Sequence, residues 1–135
     1  MSLIGNISGD DKYPAVKFSN VGDAVAGVIV ATEDYQEKEF GDDPKKGVRK
    51  GDPKFFESGD PIMAVRITLE TNPGDASSRV NLYAQGARML KAIAKAVKAT
   101  GAADLELGGE LAVTHTGRDG NAKAYESAYA RPDAA

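Results

Sequence analysis

The period of the apolar pattern changes once between residues 61 and 101, and that change limits the folds open to the chain. In PIMAVRITLETNPGDASSRVNLY, residues 61–83, two alternating segments flank the turn signal NPGD. Successive side chains in a strand point to opposite faces, so Met63, Val65, Ile67 and Leu69 share one face of the first segment. Ile62, Ala64, Arg66, Thr68 and Glu70 share the other. In the second segment Val80 and Leu82 point one way, and Arg79, Asn81 and Tyr83 the other. The apolar face is expected to line a core. Directly afterwards, in AQGARMLKAIAKAVKATG, residues 84–101, the repeat lengthens to that of a helix. Leu90, Ile93, Ala94 and Val97 fall on one helical face, and Arg88, Lys91, Lys95 and Lys98 form a solvated stripe opposite. Gly101 stands where a helix C-terminus takes a residue at positive φ.

Upstream, VGDAVAGVIVATEDY (residues 21–35) reads as one long strand whose internal Gly27 marks a bulge or a tight bend. Downstream, GELAVTHT and AKAYESAYAR read as two strands joined by the tight-turn sequence GRDGN. Residues 36–60, QEKEFGDDPKKGVRKGDPKFFESGD, have no period, and so long a loop in a small domain is functional or disordered. Residues 1–20 read as a mobile or loosely packed N-terminal arm, 21–131 as the domain, and 132–135 as a short tail. Five strands with one helix between the third and fourth is the order of an OB-fold, the mainly β, five-stranded Greek-key barrel that binds oligonucleotides and oligosaccharides. A small α+β sheet with one covering helix is the competing architecture.

At 135 residues the chain suits one domain with its own core. The apolar run AVAGVIVA falls far short of the ~20 residues of a membrane span. The opening MSLIGNISGDDK has neither the basic start nor the apolar run of a secretion signal. With no cysteine there is no disulfide framework, thiolate nucleophile or thiolate metal site. A cytoplasmic location is expected. The net charge of −3 argues against bulk attraction to nucleic acid, although residues 61–135 carry nine basic and eight acidic side chains. Phosphate-loop, dinucleotide and nucleophile-elbow signatures are all missing, and EFGDD lacks the spacing of a calcium loop. His115, the one histidine, has Leu111 and Val113 as same-face neighbours and reads as structural. No catalytic residue, metal or cofactor is expected.

Ligands of an OB-fold lie on the outer face of strands 2 and 3, flanked by the loops after strands 1 and 4. That face would present Arg66, Thr68, Arg79, Asn81 and Tyr83. The 36–60 loop would bring Lys50, Lys54 and Phe55 to one edge, with Phe40 and Phe56, and HTGRDGNAK would bring Arg118 and Lys123 to the other. Cationic side chains suit phosphates and aromatic rings suit unstacked bases. Each residue alone is ordinary surface; the reading rests on their convergence. Phe55 and Phe56 are adjacent, so one is expected to reach the core and one to be exposed. Tyr125 and Tyr129 share a face and are expected to close the barrel.

The motif SGDPIMAVRITLET, a third strand and an Ala/Lys-rich helix together resemble small phage-type OB-fold single-stranded DNA-binding proteins, over roughly residues 21–131. The resemblance implies a coat for transient single strands in DNA replication or recombination, preferring DNA to RNA, with no membrane partner and with a homo-oligomer allowed. Two features depart from the pattern. The chain has no tryptophan, and its end, ARPDAA, carries one acidic side chain where such proteins have a long acidic tail. The alternative is an OB-fold used as a protein-interaction or structural module of a phage-like assembly.

Overall fold

The computed structural model describes residues 13–120 and 122–132. Strands β1 (Ala24–Gln36), β2 (Met63–Glu70), β3 (Arg79–Ala84), β4 (Glu110–Asp119) and β5 (Ala122–Ala130) form one antiparallel sheet, and helix α1 (Ala87–Ala99) lies between β3 and β4 in the chain. The spatial order is β3-β2-β1-β4-β5. Strand β1 is long enough to serve two partners. Its first part, Ala24–Val28, pairs with β4, and its second, Val28–Gln36, pairs with β2.

The exchange of partners is made where Gly27 stands. A Cβ on Gly27 would lie 2.6 Å from the Glu70 carbonyl oxygen, so only glycine lets the two backbones come this close. The bulge expected at Gly27 falls just beyond it, as a register shift between Ile29 and Ala31. There Ile29 turns its backbone to a third segment: its amide donates to the Gly109 carbonyl and its carbonyl accepts from the Gly108 amide, both at 2.8 Å.

One core cluster joins Val25, Ile29, Ile67, Leu69, Leu82, Leu111 and Val113 of the sheet to Met89, Ile93, Ala96 and Val97 of α1. The helical face differs from the expected one by a small rotation. Ala94 is exposed, while Met89 and Ala96 are buried, giving the i, i+4, i+7, i+8 spacing of a single stripe. Arg88, Lys91, Lys95 and Lys98 are all exposed. Gly86 caps the helix without a side-chain hydrogen bond and its first turn holds no acidic residue, so packing rather than capping stabilises α1. Gly101 takes φ +82°.

The expected closed barrel is not what forms. Among the described residues β3 and β5 do not pair, and the sheet is open with these two strands at its edges. Their place against each other is taken by residues 14–18. The Val16 amide donates to the Asn81 carbonyl (2.9 Å) and the Asn81 amide to the Pro14 carbonyl (2.8 Å), a parallel contact along β3. Further on, Phe18 meets the Tyr125 ring of β5 edge-on at 5.5 Å, and its carbonyl accepts from Lys123 Nζ at 2.6 Å. The segment therefore touches both edges. Of the expected loose arm, residues 1–12 lie outside the described residues, and residues 14–18 are packed against the sheet. No helix of the described chain is long and apolar enough to cross a membrane.

Candidate functional site

The polar face of β2 and β3 is where sequence alternation places it, but it is not free surface. Register sets Arg66 between Glu33 and Tyr83, Thr68 between Ala31 and Asn81, and Glu70 between Val28 and Arg79. Thr68 and Asn81 are 1% and 0% exposed, and Arg66 is also buried. Thr68 Oγ1 donates to Asn81 Oδ1 at 2.7 Å, and the Arg66 guanidinium lies 3.3 Å from the Glu33 carboxylate. Arg79 is half-buried; its Nε donates to Glu70 at 3.0 Å and its guanidinium reaches the Tyr13 hydroxyl at 3.4 Å. Arg66, Thr68 and Asn81, expected to meet a ligand, instead join strands to one another. The reason is that β2 is an inner strand, paired with β1 on one side and β3 on the other, so its polar side chains meet neighbours from both.

The Glu70 site has a consequence for stability. The Gly74 amide, at 3.0 Å, and the Arg79 guanidinium hold the Glu70 carboxyl below the usual carboxylate range. A folded value below the unfolded one means that this stabilisation is present above the ordinary glutamate value of about 4.3 and is lost as pH falls through the lowered value. Glu70→Gln is expected to lower the melting temperature at neutral pH, with the difference from the parent shrinking as the pH is taken below that value. Thermal unfolding curves across an acid series measure this, and a pH-independent difference would remove the carboxylate from the explanation.

A groove opens beside this face, between the C-terminal part of β1, the rim of β3 and residues 36–62. The long loop is a folded lobe. Glu37, Lys54 and Ile62 exchange backbone hydrogen bonds of 2.8–3.1 Å, and the Glu39 amide donates to the Asp52 carbonyl at 2.8 Å. Asp42, Asp43 and Asp52 side chains accept from the Lys50, Lys45 and Arg49 amides. Two adjoining clefts, of about 490 and 450 Å³, share Tyr35, Lys38 and Tyr83 and so form one groove. The Tyr35 and Tyr83 rings stand edge to face with centroids 6.1 Å apart. Gln85 Nε2 donates to the Tyr35 hydroxyl at 2.5 Å. Burial pushes the Tyr35 phenol up, against the opposing effect of Gln85, so it is a neutral hydroxyl at physiological pH. Phe40, 82% exposed, forms the wall, with Lys54 Nζ 5.3 Å from its ring centroid and 3.9 Å from Glu37. The Lys38 and Lys50 ammonium groups have no carboxylate partner among the described residues.

The structure thus brings Tyr83, Lys50 and Lys54 together, as the sequence suggested, and adds Tyr35, Lys38 and Gln85, which sequence reading missed. Tyr35 carries a signal in hindsight, since it alternates with Glu33 onto the same face of β1 that pairs with Arg66. Phe55 lies outside the groove. Both Phe55 and Phe56 are exposed, at 56% and 57%, so neither reaches the core. Their short stretch pairs only with the Asp60–Pro61 turn and has no second layer to cover it. Arg118 and Lys123 face each other across the β4–β5 hairpin, and neither lines the groove. Lys123 is held by the Phe18 carbonyl. Tyr125 and Tyr129 turn inward without making a closing ladder: Tyr125 packs on Phe18, and the Tyr129 hydroxyl accepts from the Glu106 amide at 3.0 Å. His115 is fully buried beside Tyr125, its Nε2 donating to the Gly117 carbonyl at 3.0 Å, in keeping with a core residue.

No protein-family model matches the chain, and neither a curated protein nor a solved structure matches it.

Proposed function

We propose that this chain is an OB-type single-stranded DNA-binding protein, acting on transient single strands in replication or recombination. The strand order, with the helix between β3 and β4 and the N-terminal segment beside both sheet edges, supports the OB-type reading. The observation that carries the reading is one open groove in which Tyr35, Tyr83 and Phe40 gather with Lys38, Lys50 and Lys54. Bases stack on Phe40 and Tyr83, each contact contributing about 1–3 kcal/mol without regard to sequence. The Gln85 amide, anchored on Tyr35, offers its carbonyl oxygen to a base edge. Lys38 and Lys50 hold phosphates, while Arg66, Arg79 and Lys54 are engaged by Glu33, Glu70 and Glu37.

Two phosphate contacts give a salt slope of about −1.4, from about −0.7 per contact on single strands. Binding here therefore depends more on stacking than on charge. The test is fluorescence anisotropy of a labelled oligo-dT of about 30 bases, spanning at least one binding site, in a salt series with duplex DNA and RNA as competitors. Phe40→Ala combined with Tyr83→Ala is expected to weaken binding by about tenfold or more. No binding by the parent at low salt would overturn the proposal, and an unaffected double variant would move the site elsewhere.

A further inference from the structure

The groove leaves one strongly charged feature without a role, the outward face of α1. From residue 76 to residue 103 the chain has no acidic side chain, although acidic residues outnumber basic ones 20 to 17 overall. Within that stretch Arg88, Lys91, Lys95 and Lys98 are exposed along α1. Their spacing sets them in single file, within about a quarter of the helix circumference. Met89, Ile93, Ala96 and Val97 on the opposite side are buried in the core, so the outward face carries charge of one sign. A face that serves solubility alone mixes signs, because Glu and Lys three or four residues apart stabilise a helix. Here each charged neighbour at those distances is a like charge, which costs about 0.2–0.5 kcal/mol per pair. Only Lys98, in the last turn, is favoured by the helix dipole. Among the described residues Lys91, Lys95 and Lys98 have no carboxylate partner. Glu126 of β5 lines the cleft beside Lys95 without forming an ion pair with it.

The stripe begins where the groove ends. Tyr83 and Gln85 line the groove, Gly86 caps α1, and Arg88 follows in the first turn. From Arg88 to Lys98 the stripe runs about 15 Å, at about 1.5 Å per residue. Its lysines offer flexible point charges one after another, the form in which successive phosphates of a strand are held. We propose that a single strand lying in the groove leaves it past Gln85 and continues along α1, with its phosphates on Lys91, Lys95 and Lys98. This path rests on the groove reading and extends it: the groove takes bases, and the helix takes the backbone that follows. With a polyanion in place, repulsion among the lysines gives way to attraction to a common partner. Charge complementarity and continuity with the groove both select the strand as the occupant.

The test is fluorescence anisotropy with labelled oligo-dT of about 4 and about 16 bases, the two ends of the range that one such fold covers, each in a salt series. Two phosphate contacts in the groove give the shorter strand a slope of about −1.4, and three more on the helix give the longer one about −3.5. In Lys91→Ala combined with Lys95→Ala and Lys98→Ala the two slopes are expected to agree, and the longer strand to bind about tenfold or more weakly at low salt. The variant keeps its helix, because all three positions are exposed and alanine is the best helix former. Equal slopes in the parent, or a steep slope retained by the variant, would overturn the helix path and leave the groove reading standing. A parent that binds neither length would overturn both. Binding lost in the lysine variant but intact in Phe40→Ala with Tyr83→Ala would remove the groove and with it the continuous path. Duplex DNA that displaces the longer strand as well as unlabelled oligo-dT does would assign the stripe to duplex and sink the proposal.

Discussion

Gly27→Ala is expected to destabilise the protein by about 3 kcal/mol or more, at the upper end of overpacking effects. The added methyl would sit 2.6 Å from the Glu70 carbonyl oxygen and 2.9 Å from its carbon, both backbone atoms. A side chain could swing away from such a contact; a paired strand does not. The clash also falls where β1 passes from β4 to β2, so relief at one ladder strains the other. Urea unfolding should show a lower midpoint with an unchanged slope, the sign of altered stability without altered compactness. Gly41→Ala is the control, since nothing lies within 4 Å of its added carbon and its φ is not positive. Equal midpoints for the two variants would mean that the strands do not approach as described.

Phe18→Ala is expected to cost about 3–5 kcal/mol, the range for emptying a buried aromatic site. Phe18 is 7% exposed, and it fastens the N-terminal segment to β5 through Tyr125 and through the carbonyl that Lys123 holds. Its loss should loosen residues 14–16 from β3 as well, because among the described residues two backbone bonds and the packing of Val16 join them to it. The measurement is amide hydrogen exchange. The Asn81 amide, which donates to Pro14, should exchange faster relative to neighbouring amides in β2. Unchanged protection at Asn81 together with unchanged stability would show that the segment is an appendage and the sheet stands without it.

Both predictions come from places where sequence reading saw only part of the structure. Gly27 was legible as a special position because glycine inside a β-branched run needs a reason, but which backbone approaches it was not. The segment around Phe18 gave no sign of its role, since a few residues bridging two strand edges have no period to reveal them. The candidate site was likewise half legible. Tyr83, Lys50 and Lys54 could be assembled from strand order and loop position. Tyr35 needed the register of β1 against β2, Lys38 its bridge to Pro53, and Phe40 became a wall only once the 36–62 lobe folded back on Glu37 and Ile62.

Five strands, one helix, the helix end at Gly101 and the single long loop were all legible along the chain. These follow from periods and turn residues that neighbours along the chain define. That the sheet stays open and that Thr68 and Asn81 are interior came from packing between distant segments. The same holds for the arginines, which are engaged by carboxylates before any ligand arrives. Alternation fixes the direction in which a side chain points, but burial and pairing depend on what arrives from elsewhere: Glu33 beside Arg66, Tyr13 beside Arg79, and the Phe18 carbonyl against a lysine 105 residues away.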